Sequence, residues 1–153
     1  YTDGGKSFKS VIFYPMYIKT YCNRCYVLGY EEGKNEIKAI ATDTVVSYSY
    51  AILPFPSNYV FDSELYFKDI IGVSKPQLRK EEITIKVVEP LASYLIENPL
   101  HSSQTIVKKI ENGECQLRYS IIPNDEFFRW VYENTPSVTI INPKSCAIIF
   151  KAS

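Results

Sequence analysis

Hydrophobic and polar positions alternate with a period of two over Glu36–Ala41 and Val45–Ile52, and short β-type runs fill residues 7–60, which points to β-strands in this stretch. Residues 7–21 carry β-branched and aromatic side chains interrupted by Pro15. Arg24 to Glu31 forms a second run, and Glu31-Glu32-Gly33-Lys34-Asn35 reads as a turn. A third strand is predicted over Glu36–Ala41 and a fourth over Val45–Ile52, where Val46, Tyr48 and Tyr50 alternate with Ser47 and Ser49. Several short strands joined by tight turns predict a small barrel.

The pattern changes after Leu53-Pro54-Phe55-Pro56. Asp62 can cap a helix carrying Leu65, Tyr66, Ile70 and Ile71, with Gly72 as its stop. The polar, basic Ser74–Lys80 marks a boundary near residue 80. Beyond it the sequence predicts a strand over Glu82–Glu89, a helix from Pro90, and strands Thr105–Ile110 and Glu114–Ile122 around the hairpin pair Asn112-Gly113. A helix capped by Asn124 or Asp125 follows, then Val138–Ile141 and a further strand candidate at Cys146–Phe150. The order β-α-β-β-α-β is that of a ferredoxin-like split unit. The expected class is therefore α+β: a small β-barrel of the Sm-like or SH3-like kind over residues 7–73, then a ferredoxin-like βαββαβ extension over residues 81–153.

The 153 residues suffice for one domain or two small ones. Formal net charge is zero, which argues against gripping duplex DNA by bulk charge but leaves room for a local basic patch. No apolar run is long enough to cross a bilayer, so no membrane partner is expected. The chain starts with Tyr1 and carries no signal-peptide pattern; the expectation is an excised piece of a longer protein, cytoplasmic, with reduced thiols. Cys22-Asn23-Arg24-Cys25 is a C-x-x-C, but it lies between two β-type runs and lacks the following helix that lowers a thiol pKa. Cys115 and Cys146 are not a second close pair. A hairpin turn with small, partly buried cysteines is the simpler reading, and neither metal nor cofactor is expected.

The candidate chemistry is basic and aromatic. A single-strand site needs cations along a groove and rings on which bases stack. Lys19, Arg24 and Lys38 supply the first, and Tyr14, Tyr17, Tyr26 and Tyr30 the second. Arg24, Tyr26, Leu28 and Tyr30 share one strand face, either as a surface stripe or with the tyrosines buried beside Leu28. His101 is the only histidine and has no catalytic partner in sequence; with Ser102, Ser103 and Gln104 it suits loop hydrogen bonding, with a ligand or interface role as the alternative. Trp130 is a core residue or a dimer anchor. No nucleophile–base pair, phosphate loop or metal cluster marks an enzyme.

The strand Arg24-Cys25-Tyr26-Val27-Leu28-Gly29-Tyr30, preceded by Tyr14-Pro15-Met16-Tyr17-Ile18-Lys19, resembles the signature strands of the WYL domain family of bacterial regulators. Phe55-Pro56, Tyr66–Val73, His101–Gln104, Asn124-Asp125-Glu126-Phe127 and Val138–Pro143 resemble later family segments in the same order. Cys25 stands at the family Trp, Val27 at its Leu, and Thr44 where an Arg faces the ligand groove; a threonine cannot form that arginine's bidentate phosphate contact. The resemblance implies an Sm-like sensing barrel that binds a ligand, in some members single-stranded nucleic acid. The candidate ligand-binding residues are Tyr17, Lys19, Arg24, Tyr26 and Lys38 from the basic and aromatic pattern, Thr44 from its place in the family groove, and His101. The resemblance also implies a homodimer made with the extension, and duplex DNA bound by a winged-helix domain absent from this chain. The alternative is an interaction or oligomerisation module with a degenerate groove.

Overall fold

A computed structural model describes residues 2–3 and 6–144, which form a mixed α+β protein of two units divided between Ser63 and Glu64. The strand candidate Cys146–Phe150 lies outside the described residues.

In the first unit, β1 (Thr2–Asp3) and β2 (Lys6–Ser7) form a minimal ladder. The main sheet consists of β3 (Phe13–Tyr21), β4 (Arg24–Glu31) and β5 (Ile37–Ala41), antiparallel in that order. Cys22 and Asn23 both adopt positive φ, which makes the β3–β4 connection a two-residue turn whose twist matches the strands. Cys22 therefore occupies the turn itself, and it and Cys25 are exposed thiols, not partly buried ones.

Pro15 cannot donate to the ladder, and the β3–β4 register shifts between Pro15 and Tyr17. Opposite Pro15 sits Gly29, where a Cβ would fall 2.1 Å from the Tyr14 carbonyl oxygen. This position is a glycine because the bulged backbone occupies the space of a side chain.

The sheet is open, with β3 and β5 at its edges. The fourth strand expected over Val45–Ile52 does not form. A 3-10 turn at Thr42–Thr44 redirects the chain after β5, closed by the Thr44 hydroxyl on the Ala41 carbonyl at 2.6 Å, and the alternating side chains beyond it face solvent. Alternation specifies a strand only where a neighbouring edge takes its backbone bonds.

The division falls after the first residue of α1 (Ser63–Phe67), which is shorter than the predicted helix, and the polar run near residue 80 lies inside the second unit. Then come β6 (Glu81–Val88), α2 (Leu91–Glu97), β7 (Thr105–Glu111), β8 (Glu114–Ile121), α3 (Asp125–Glu133) and β9 (Val138–Asn142). The sheet order is β7-β8-β6-β9, all neighbours antiparallel. Two β-α-β units are thus interleaved: β8 lies between β6 and β7, and β6 between β8 and β9. One face is apolar. Ile83, Ile85 and Val87 stand opposite Tyr119, Leu117 and Cys115, with Val138 and Ile140 beyond, all buried. Ala92 and Leu95 of α2 and Phe127 and Val131 of α3 complete this core. Each Val, Leu, Ile or Phe among them contributes about 1.5–3 kcal/mol by leaving water.

Two core tyrosines carry a pH signature. Burial pushes the Tyr66 phenol up to about 12, and burial raises that of Tyr119 as well. A phenol raised in the folded state contributes stability that is complete below the ordinary tyrosine value of about 10 and is lost as pH climbs through the folded value. Denaturant midpoints are therefore expected to fall between pH ~10 and ~12. Phenolate absorbance of the native protein should show these rings titrating after the exposed ones. A single native titration of all tyrosines at the ordinary value would refute the burial assigned to both.

Candidate nucleic-acid and ligand interface

The register of the first sheet sorts the candidate residues. Across β3 and β4, Tyr21 stands opposite Arg24, Lys19 opposite Tyr26, Tyr17 opposite Leu28 and Tyr14 opposite Tyr30. Across β4 and β5, Tyr26 stands opposite Ala41, Leu28 opposite Ala39 and Tyr30 opposite Ile37. Directly opposed residues point to the same side, so all of these share one face. Lys38 stands opposite Gly29 and belongs to the other face. The expectation of one basic groove holding Lys19, Arg24 and Lys38 is corrected here: a side-chain period of two puts Lys38 behind the sheet. Its ammonium lies 3.3 Å from Glu31, whose other oxygen takes Lys9 at 3.2 Å. Lys9 foremost, and Lys38 with it, hold the Glu31 carboxyl below the usual carboxylate range.

The shared face has two ends of different character. At one end Tyr14 is buried, with its ring 5.4 Å from Phe55 and 5.5 Å from Tyr59. Tyr30 stacks on Tyr59 at 4.2 Å and donates its hydroxyl to the Val60 carbonyl at 2.8 Å. These tyrosines, read as possible stacking platforms, have their ring faces taken by the chain's own aromatics. Tyr17 lies between the two ends, its ring 5.2 Å from Phe61.

At the other end stand Lys19, Tyr26 and Arg24. Lys19 and Tyr26 are half-buried and Arg24 is exposed. The Arg24 guanidinium lies 5.7 Å from the Tyr26 ring centre, within cation–π range. It also grips Asp43 with two bonds, Nε to Oδ2 at 2.9 Å and Nη2 to Oδ1 at 2.6 Å. These hydrogen bonds hold the Asp43 carboxyl below its usual range and raise the guanidinium further. The sign follows: the pair's contribution to stability is present above the ordinary aspartate value and fades as pH falls through the lowered one. Asp43 enters from the 3-10 turn, which Thr42 also ties down by donating to the Cys25 carbonyl at 3.2 Å. Thr44 spends its hydroxyl on that turn and presents no cation. The sequence signal for Asp43 was its position one residue before Thr44, yet a pairing nineteen residues apart is visible only in three dimensions.

His101 belongs to the second unit and does a different job. Its Nε2 lies 2.9 Å from the Lys68 carbonyl, which only accepts, so Nε2 carries the hydrogen. Its Nδ1 accepts from the Ser103 amide at 3.1 Å and lies 2.8 Å from the Ser103 hydroxyl, whose oxygen accepts from the Ser120 amide. Gln104 accepts from Leu100 N–H and from the Tyr119 hydroxyl, and donates to the Leu95 carbonyl. The His-Ser-Ser-Gln segment is a hydrogen-bonded plug joining α2, β8 and the stretch after α1. Trp130 is half-buried on α3.

The other motif segments of this unit form a clasp. Asn124 caps α3 by accepting from Phe127 N–H at 2.9 Å, while its Nδ2 donates to the Ile71 and Ser74 carbonyls. Glu126, buried, accepts on Oε1 from Val73 N–H, Ser74 N–H and the Ser74 hydroxyl at 2.8–3.1 Å. Gly72, at φ +82°, has the Glu126 side chain where a Cβ would sit.

No cluster of three or more metal-ligating side chains occurs among the described residues, and no helix there is long and apolar enough to cross a membrane. No protein-family model matches the chain, and no curated protein matches it either.

Proposed function

We propose that this chain is the ligand-sensing and dimerisation region of a DNA-binding transcriptional regulator of the WYL type, responding to single-stranded nucleic acid or a nucleotide-like ligand. On this reading the first unit corresponds to the Sm-like barrel, and the second is the ferredoxin-like extension. Duplex DNA is bound by a winged-helix domain outside this chain, and the assembly is a homodimer. The observation that carries the proposal is the convergence of Lys19, Arg24 and Tyr26 on one end of one sheet face, formed by the strands that resemble the family signature. The interleaved β-α-β units of the second sheet support the extension.

The working site is smaller than the sequence suggested. Lys19 and Arg24 supply charge, Tyr26 a ring, and Tyr17 its border. Asp43 competes with any anion for the guanidinium, so a phosphate must displace a carboxylate already held by two bonds. A second reading, an interaction module without nucleic-acid binding, draws on this same closure of Arg24 by Asp43.

Fluorescence anisotropy of short labelled single-stranded DNA and RNA, titrated with the chain at two salt concentrations, separates the two. Saturable binding is expected to weaken at least ~10-fold in Lys19→Ala/Arg24→Ala, with the slope against log salt smaller by about 1.4 for two lost phosphate contacts. Asp43→Asn is expected to tighten it by freeing the guanidinium. No binding at high protein concentration, in the wild type and in Asp43→Asn alike, overturns the nucleic-acid sensor and leaves the interaction module.

A further inference from the structure

Val45–Leu53 leaves the 3-10 turn as an irregular stretch. Beyond the turn bond from Val45 N–H to the Thr42 carbonyl, no backbone hydrogen bond ties this stretch to a strand among the described residues. Val46, Tyr48, Tyr50 and Ile52 are 70%, 82%, 92% and 102% exposed. The Tyr48 and Tyr50 rings meet edge-on with centres 6.2 Å apart, so they lie to one side of the chain. From Thr44 to Phe61 no residue is charged. Exposed strand-forming segments are ordinarily blunted by Lys, Pro or a bulge. This one has neither charge nor proline until Pro54.

We infer that Val45–Leu53 is a self-pairing strand whose partner is the same stretch of a second copy of this chain, antiparallel about a twofold axis at Ser49. That axis sets Tyr48 opposite Tyr50, Val46 opposite Ile52, Ser47 opposite Ala51 and Val45 opposite Leu53. Each face maps onto itself. One side becomes an eight-residue band of Val, Tyr, Tyr and Ile from each copy, and aromatic and β-branched pairs of this kind are the favoured cross-strand neighbours. A slip of one residue sets Tyr48 opposite Ser49 and Ser47 opposite Tyr50, which mixes the faces; a slip of two keeps the faces but sets Val46 opposite Pro54 or Ile52 opposite Thr44, so only the axis at Ser49 pairs all four large side chains with one another. About that axis Ser49 meets Ser49, and every other residue from 45 to 53 meets another uncharged one. The lack of charge therefore removes the like-charge repulsion that opposes self-pairing of most surface segments. The four large side chains and the paired backbone bury roughly 500 Å² per copy, about 1,000 Å² in total, at the lower edge of a specific interface. The expected dimer is accordingly weak and concentration-dependent. This inference deepens the homodimer of the proposed function and rests on it only for the twofold.

The test uses the full chain with Cys22, Cys25 and Cys146 changed to Ser, and places one new thiol in the strand. Ser49→Cys brings two sulfurs together on the axis, whereas Ser47→Cys faces Ala51 of the other copy. With glutathione disulfide as oxidant, Ser49→Cys is expected to give at least ~10-fold more cross-linked dimer than Ser47→Cys at equal protein concentration, the positions being separated by register. Adding Tyr48→Asp to Ser49→Cys should abolish the cross-link and shift sedimentation to monomer; position 48 is exposed, so the change leaves the fold intact. Equal cross-linking at 47 and 49, or a dimer that survives Tyr48→Asp, overturns the strand while leaving a dimer built elsewhere in the chain. A wild type that stays monomeric at ~100 μM, well above the micromolar range of a weak interface, overturns both.

Discussion

Glu126→Ala is expected to destabilise the second unit by about 3–5 kcal/mol, the cost of leaving several buried donors without an acceptor. Three donors converge on one oxygen: Val73 N–H, Ser74 N–H and the Ser74 hydroxyl. Alanine removes that oxygen and opens a void against Gly72, whose backbone is shaped around the Glu126 methylenes. Glu126→Gln separates the two contributions. Its amide oxygen can take the Oε1 position and accept the same three bonds, while its NH2 falls where Oε2 now lies buried with no partner. The glutamine variant is therefore expected to lose less than half as much as the alanine variant. Urea unfolding followed by far-ultraviolet circular dichroism reads both, with the exposed neighbour Asp125→Ala as reference. An alanine variant within ~1 kcal/mol of wild type, the range of an ordinary surface change, would show that the clasp contributes nothing beyond packing.

Gly29→Ala is the corresponding lesion in the first unit, expected to cost about 3 kcal/mol as an overpacked site. The added Cβ would sit 2.1 Å from the Tyr14 carbonyl oxygen, 2.9 Å from its carbon and 3.0 Å from Phe13 Cζ. The first two neighbours are backbone and cannot rotate away. Relief requires the β3–β4 hairpin to separate at its bulge, which would also disturb Tyr14 and Tyr30 on either side of Tyr59. Near-ultraviolet dichroism from these tyrosines should weaken, and the first unit should unfold at lower denaturant. A wild-type signal and midpoint would mean that Pro15 does not face Gly29.

The second sheet was legible because its signals were local and agreed with one another. The Ile83, Ile85, Val87 alternation, Asn112-Gly113 at positive φ and the Asn124 cap each name their own element. The first unit was less legible for the opposite reason. Val45–Ile52 has as clean an alternation as any strand here, but alternation says nothing about where a partner edge lies. The aromatic roles depended on Phe55, Tyr59 and Phe61, which lie between or after Pro54 and Pro56 and look like loop in sequence. The cation cluster failed on parity: Lys38 reads as a neighbour of Lys19 and Arg24 until the β4–β5 register sets it opposite Gly29. His101 was the reverse case. Lack of partners in sequence argued for a loop role, and the Lys68 and Ser103 bonds supply one.

The clasp between Ile71–Ser74 and α3 also decides where this gene could be cut and rejoined. A recombination breakpoint in the polar run before β6 would carry away every strand of the second sheet yet strand Asn124 and Glu126 without the backbone they hold. A break after Ser63 moves α1, the clasped strip and the sheet together. Fusions in which this unit travels to new partners are thus expected to retain the seventeen or so residues before β6, however loop-like they look, as cargo that the sheet cannot shed.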